Sequence, residues 1–248
     1  MRRSVFIITM LVIGTAVLIA IGGYSFYAAS RVNAPPKPSG PVVSATKTVI
    51  STTKTVVSTT KCITPGTGGL RSFSIVPAQS TASYKVHENL ILRNLPSIDA
   101  VGKTQDVTGS FKISSSPAPQ VTSLHLTVNL STLQTDEPMR DRFVRNRALE
   151  TNQYPNADFT STCAQGMPAH YSDGQSLSFQ LPGSLTMHGK THQETFAVTG
   201  KLIDKTISGT ATTTLLMTDF DIQPPDLANI AIAQNKVLVT ITFLAQEK

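Results

Sequence analysis

Leu124-His125-Leu126-Thr127-Val128-Asn129-Leu130 alternates an apolar residue with a polar one through the whole stretch. Successive side chains of a strand point to opposite faces, so this segment presents one apolar face and one polar face. A helix would scatter the same leucines around its circumference. The period recurs along the chain. Val237, Val239, Ile241 and Phe243 alternate with Lys236, Thr240 and Thr242, with Leu238 breaking the pattern. Leu177, Phe179 and Leu181 repeat it, as do Phe196, Val198 and Leu202 around Gly200. Turn formers punctuate these runs at Ser116-Pro117-Ala118-Pro119, Ser172-Asp173-Gly174, Pro182-Gly183, Asp204-Lys205 and Gln223-Pro224-Pro225. About eight to ten short strands with no βαβ alternation predict an all-β domain, a closed barrel or a sandwich. The domain spans residues 71–248.

One stretch departs from the period. Glu137 to Glu150 opens on an acidic residue and Pro138, which suits a first helical turn, and Met139, Phe143 and the stem of Arg147 could share one face. It predicts one short helix between strands.

Outside the domain the composition changes. Arg2 and Arg3 precede an apolar run from Val5 to about Ala29. About 20 apolar residues cross a bilayer, and basic residues before such a run favour a cytoplasmic N-terminus. Residues 1–30 are therefore expected to be a single transmembrane anchor. A cleaved signal peptide ending at Ala28-Ala29-Ser30 is the rival, and either reading exports the domain. Residues 31–70 form a tether rich in Pro, Ser, Thr and Lys, in which TKTVIST (46–52) is followed by TKTVVST (53–59). Two copies make no solenoid, and the composition buries too little to fold alone.

The net charge of +6 lies in this N-terminal part. Residues 1–70 hold seven Lys/Arg and no acid, whereas 71–248 hold 14 Lys/Arg against 15 Asp/Glu. A domain without a basic face is a poor nucleic-acid binder. The two cysteines, Cys62 and Cys163, could form a disulfide in an oxidising compartment or stay apart.

Catalytic signatures are sparse. No nucleophile elbow, Gly-rich phosphate cradle or convincing carboxylate pair is found, so no enzyme and no cofactor is expected. His188 and His192 stand four apart, but Gly189 and the strand-like context argue against a metal site.

The ordered motifs resemble the YceI-like family, which is exported and lipocalin-like. Phe73-Ser-Ile-Val-Pro-Ala-Gln-Ser80 resembles its opening strand, Ala82-Ser-Tyr-Lys-Val-His87 the strand that follows, and Val107-Thr-Gly-Ser-Phe111 its "v-x-G-x-F" strand. Thr135 to Arg145, with Arg140 and Asp141, resembles its "T-x-x-x-x-R-D-x-x-L-R" segment. Tyr154-Pro155 with Phe159-Thr-Ser-Thr162, and Gly183-Ser-Leu-Thr-Met-His-Gly-Lys-Thr191, resemble two further motifs. Val76, Gln79, Phe143, Ala148-Leu149-Glu150 and Met217–Asp221 depart from the pattern.

The resemblance implies an extended antiparallel β-barrel of about 8 strands around an apolar cavity, holding an isoprenoid or another long apolar amphiphile. Tyr84, Phe111, Phe143, Phe159, Phe179, Phe196 and Phe220 are candidates to line that cavity or to fill a core. Arg140 and Asp141 are candidates for its polar mouth, or for a mutual ion pair locking the helix, and Arg142, Arg145 and Arg147 for a solvated face. The expected function is a membrane-anchored extracytoplasmic lipid carrier. The alternative is a structural or adhesive envelope module on a stalk, and whether the barrel forms a homodimer stays open.

Overall fold

The computed structural model describes residues 68–90, 97–115, 118–227 and 231–248. The expected anchor over 1–30, and the tether up to residue 67 with Cys62, lie outside the described residues. No described helix is long and apolar enough to cross a membrane. The described residues all belong to one unit, Val56–Lys248.

The alternating segments form strands of one antiparallel sheet. They are β1 (Arg71–Ile75), β2 (Thr81–Leu90), β3 (Ile98–Thr104), β4 (Val107–Ser114), β5 (Gln120–Asn129), β6 (Asn156–Ser161), β7 (Ser176–Met187), β8 (Lys190–Ile203), β9 (Thr206–Leu216), β10 (Asp226–Leu227) and β11 (Ala231–Glu247). Both β1 and β2 pair antiparallel with β11, through Phe73↔Glu247 and Ala82↔Ile241, so they are two halves of one long stave. Their break is a 3-10 turn at Pro77–Gln79, where proline has no N–H for the ladder. Buried Ser80 repairs it: its hydroxyl donates to the Val76 carbonyl (2.9 Å) and accepts the Leu244 N–H (3.2 Å). On the other side β4 pairs with β1 and β3 with β2, which makes a second broken stave. Continuing through β5, β6, β7, β8, β9 and β11, the sheet closes on β1. The result is a barrel of eight staves, with β10 paired only to the start of β11.

Closure is incomplete beside β3, whose far edge carries only the bridge Lys103↔Gln134. Here the chain turns helical. Helix α1 (Pro138–Phe143) starts at Glu137, whose carboxylate accepts the Met139 N–H at 3.0 Å, and runs into a π-helical turn over Val144–Ala148. The Asp141 carboxylate accepts both the N–H and the hydroxyl of Thr135 at 2.7 Å, and Arg145 donates to the Leu133 carbonyl at 2.7 Å. Of the three arginines assigned to a solvated face, Arg145 is thus turned inward as a tether.

Pro182-Gly183, read as a turn, lies inside β7 instead. The strand passes so close to β6 that a Cβ on Gly183 would stand 2.2 Å from the Thr160 carbonyl oxygen. The glycine signals close approach, not reversal.

Candidate functional site

Inward positions follow strict parity: Ala82, Tyr84, Val86 and Glu88 on β2, Leu124, Leu126 and Val128 on β5, Phe196 and Val198 on β8, Val239, Ile241 and Phe243 on β11. An eight-stranded barrel is just wide enough for these side chains to fill it or to leave room for one small ligand. Here room remains. One chamber encloses about 150 Å³ and a second about 170 Å³. Leu126, Phe159, Phe196 and Ile241 wall both, so the chambers lie end to end across one waist. The Phe159 and Phe196 rings meet edge to face there, 4.8 Å apart.

The first chamber is almost wholly apolar. Phe111, Ile113, Phe179, Leu202, Ile207 and Phe243 contribute to its wall. Phe73, wholly buried, stacks on Phe111 at 5.4 Å. Outside the stack, Arg71 lies over the Phe73 ring and its Nε and Nη2 donate to the Glu247 carboxylate at 2.8 and 2.9 Å. That bidentate contact raises the Arg71 pKa and lowers that of Glu247. Tyr171, on the β6–β7 connection, ties itself to β8 by accepting the Leu202 N–H at 2.9 Å.

The second chamber is apolar too, through Val128, Leu130, Leu185, Met187 and Leu215, but besides Ser83 three larger polar groups enter it. Glu88 sits on the inward row of β2, and Arg140 reaches it from α1 at 3.5 Å while donating to Asp136 at 2.6 Å. Both side chains are largely covered, 17% and 18% exposed. Tyr84 is the third. Its ring lies flat against Gly102, where an added Cβ would come within 2.2 Å of the ring. Its hydroxyl is buried with no hydrogen-bond partner among the described residues. Burial pushes its pKa up to about 12, against the pull of Arg140, so the phenol stays neutral and its donor is unused.

Of the residues singled out in the sequence, Tyr84 and Arg140 line the second chamber, Phe111 and Phe179 the first, and Phe159 and Phe196 both. Asp141, Phe143 and Phe220 line neither. Asp141 does not pair with Arg140; its carboxylate faces Thr135 within its own loop. Phe220 is fully buried in a 3-10 turn after β9, against the His192 ring. His188 Nδ1–H donates to the Phe220 carbonyl at 2.9 Å, and Nε2 lies 3.1 Å from Glu150. The two histidines therefore serve different contacts, and no cluster of metal-ligating groups occurs among the described residues. Cys163 is buried. Glu88, Leu126 and Ile241 went unnamed in the sequence as site residues, although counting by twos from Ala82 reaches Glu88 at once.

Comparison with known proteins agrees with this geometry. The family model described as YceI-like domain matches residues 73–245. A UPF0312 protein of Pseudomonas putida is 29% identical over 131 residues, covering 50% of this chain and 64% of its own length. A polyisoprenoid binding domain from Saccharophagus degradans, implicated in plant cell wall breakdown, superposes with a TM-score of 0.57 at 14% identity, covering 72% of this chain and 99% of that domain. Burkholderia cenocepacia BcnA does so at 0.53 and 18% identity, over 68% of this chain and 98% of its own. At these identities the superpositions establish the barrel fold.

Proposed function

Because the chain belongs to the YceI-like family through most of its domain, we propose that its barrel carries or sequesters one long apolar amphiphile of polyisoprenoid kind. The observation that carries this reading is the shared waist. Small-molecule sites typically enclose about 300–1,000 Å³, and neither chamber of about 150 or 170 Å³ reaches that range alone. Taken end to end they do, but only for a narrow ligand passing alongside the touching Phe159 and Phe196 rings, past Leu126 and Ile241. A flexible hydrocarbon chain has that shape. Each methylene moved from water into such a wall contributes about 0.8 kcal/mol, so a chain needs no directional contacts along its length. Its polar end belongs in the second chamber, where the Tyr84 hydroxyl is an unused donor beside Arg140 and Glu88.

The family relative from Saccharophagus degradans, named for polyisoprenoid binding, supports the ligand class. The apolar run after Arg2-Arg3 supports attachment to a membrane with the barrel on the extracytoplasmic side. There a Cys62–Cys163 bridge would fasten the tether to the domain. Native mass spectrometry with organic extraction of the purified protein tests the carrier reading. We expect one extractable long-chain molecule per barrel, and less of it after Phe196→Arg at the waist. A barrel that carries no lipid and takes up none from polyprenol-containing vesicles would sink the proposal and favour a plain structural module on a stalk.

A further inference from the structure

We infer that the outer face of the α1 segment docks the barrel onto an anionic lipid bilayer, with the mouth of the second chamber turned toward the lipid. This rests on reading that chamber as a site for an apolar chain. The segment is two-faced. Arg140, Val144, Ala148 and Leu149 turn inward and line the chamber. Met139, 69% exposed, shares the outer face with exposed Arg142 and Arg147. The helical period sets these positions on one side.

The acids of the segment each have a partner, Asp136 in Arg140 (2.6 Å), Glu137 in the Met139 N–H (3.0 Å), Asp141 in Thr135 (2.7 Å) and Glu150 in His188 (3.1 Å), although Asp136, Glu137 and Glu150 remain exposed. Arg142 and Arg147 have no partner among the described residues. An apolar side chain flanked by two free guanidiniums matches the interface of an acidic membrane, apolar below and negative at the headgroups.

Two more exposed apolar residues stand on the same rim. Ile98 is the cross-strand neighbour of Glu88, and Ile232 that of Asn89, at 37% and 40% exposure. Asp226, the cross-strand partner of Ile232, adds one negative charge beside it. A chain entering here would pass from acyl tails into the chamber without crossing water.

The chain has no Trp, so a single introduced Trp is a clean reporter. Full-length protein carrying Met139→Trp, or Ile203→Trp at the exposed far end of β8, is reconstituted into vesicles with brominated lipids. The expected result is quenching of the residue-139 reporter in phosphatidylglycerol vesicles, little in pure phosphatidylcholine, and none at residue 203 in either. Each basic residue near such a surface is worth about five-fold in affinity, so adding Arg142→Glu and Arg147→Glu should lower the docking equilibrium constant by at least about 25-fold. Equal quenching at both positions, or quenching indifferent to lipid charge, overturns docking. So does shielding of residue 139 from an aqueous quencher without bromolipid quenching, which would mean a protein partner. Extraction of the same samples separates the two readings. Lipid-loaded protein that leaves residue 139 unquenched overturns docking alone, and lipid-free protein that still docks overturns the carrier reading alone.

Discussion

The two ends of the barrel are built from the same alternating strands and finish differently. The first chamber ends on the stacked pair Phe73 and Phe111, with the Arg71–Glu247 ion pair outside it. The second ends on a tyrosine, a glutamate and an arginine, under a six-residue helix that stands where a strand pairing is missing. At the aromatic end the Arg71–Glu247 pair is matched and lies outside the stacked rings. At the polar end the Tyr84 hydroxyl is buried and unmatched among the described residues. A buried donor without a partner costs about 1–3 kcal/mol, so that end holds a stability deficit that a ligand's polar atom could relieve. One end is finished as a core and the other as a socket.

The largest expected effect breaks the aromatic end. Phe73 is fully buried, and Phe→Ala at such a site typically costs about 3–5 kcal/mol. Phe73→Ala should lower the urea midpoint accordingly. If the floor sets the length of the bound chain, the same variant should extract longer molecules than the parent. An unchanged midpoint would mean that Phe73 is no structural floor.

The next effect lies at the socket. Gly102→Ala puts a methyl where the Tyr84 ring lies, an overpacking that costs about 1–3 kcal/mol. Tyr84→Phe removes the unmatched hydroxyl and should leave the ligand-free protein equally stable or more so, by up to about 1 kcal/mol, while weakening ligand retention. Thermal unfolding of extracted and lipid-loaded protein measures both arms. A loss of stability in the ligand-free arm would show that the hydroxyl is satisfied after all.

This contrast explains which parts could be read in the sequence. Period two is a local property, so Leu124–Leu130 and Val237–Phe243 announced their strands and their inward faces. Phe159 and Phe196 followed, being inward residues on such runs. What escaped depended on partners distant in sequence. That β1 and β2 are one broken stave is decided by β11, 141 to 174 positions away along the chain. Phe220 looked like a lining residue, but it sits in a turn, where strand parity gives no direction. Asp141 looked like a mouth residue because it adjoins Arg140; one step along a helix turns the side chain by about 100°, and it faces Thr135. Gly183 looked like a turn because glycine serves close approach equally well.

The smallest effects sharpen the comparison through pH. At the aromatic end, the Arg71 hydrogen bonds hold the Glu247 pKa below its ordinary value. A depressed acid contributes stability that is present above its unfolded pKa, near 4.3, and lost as pH falls through the folded one. At Glu194, two residues before the waist residue Phe196 on β8, the sign reverses. Burial, and then the charge of nearby Asp219, push the Glu194 pKa up, with His192 opposing. An acid with a raised folded pKa binds its proton more tightly in the native state. Its contribution is therefore favourable below the unfolded pKa and lost as pH rises through the folded one. Glu247→Gln should accordingly lower the melting temperature at pH 7 and lose that effect near pH 3. Glu194→Gln should raise it slightly at pH 7, with the gain gone in acid. Acid thus loosens the Arg71–Glu247 clamp while it relieves Glu194. Melting curves for both variants at the two pH values test the pair, and shifts of the same sign at pH 7 would remove the distinction between the two acids.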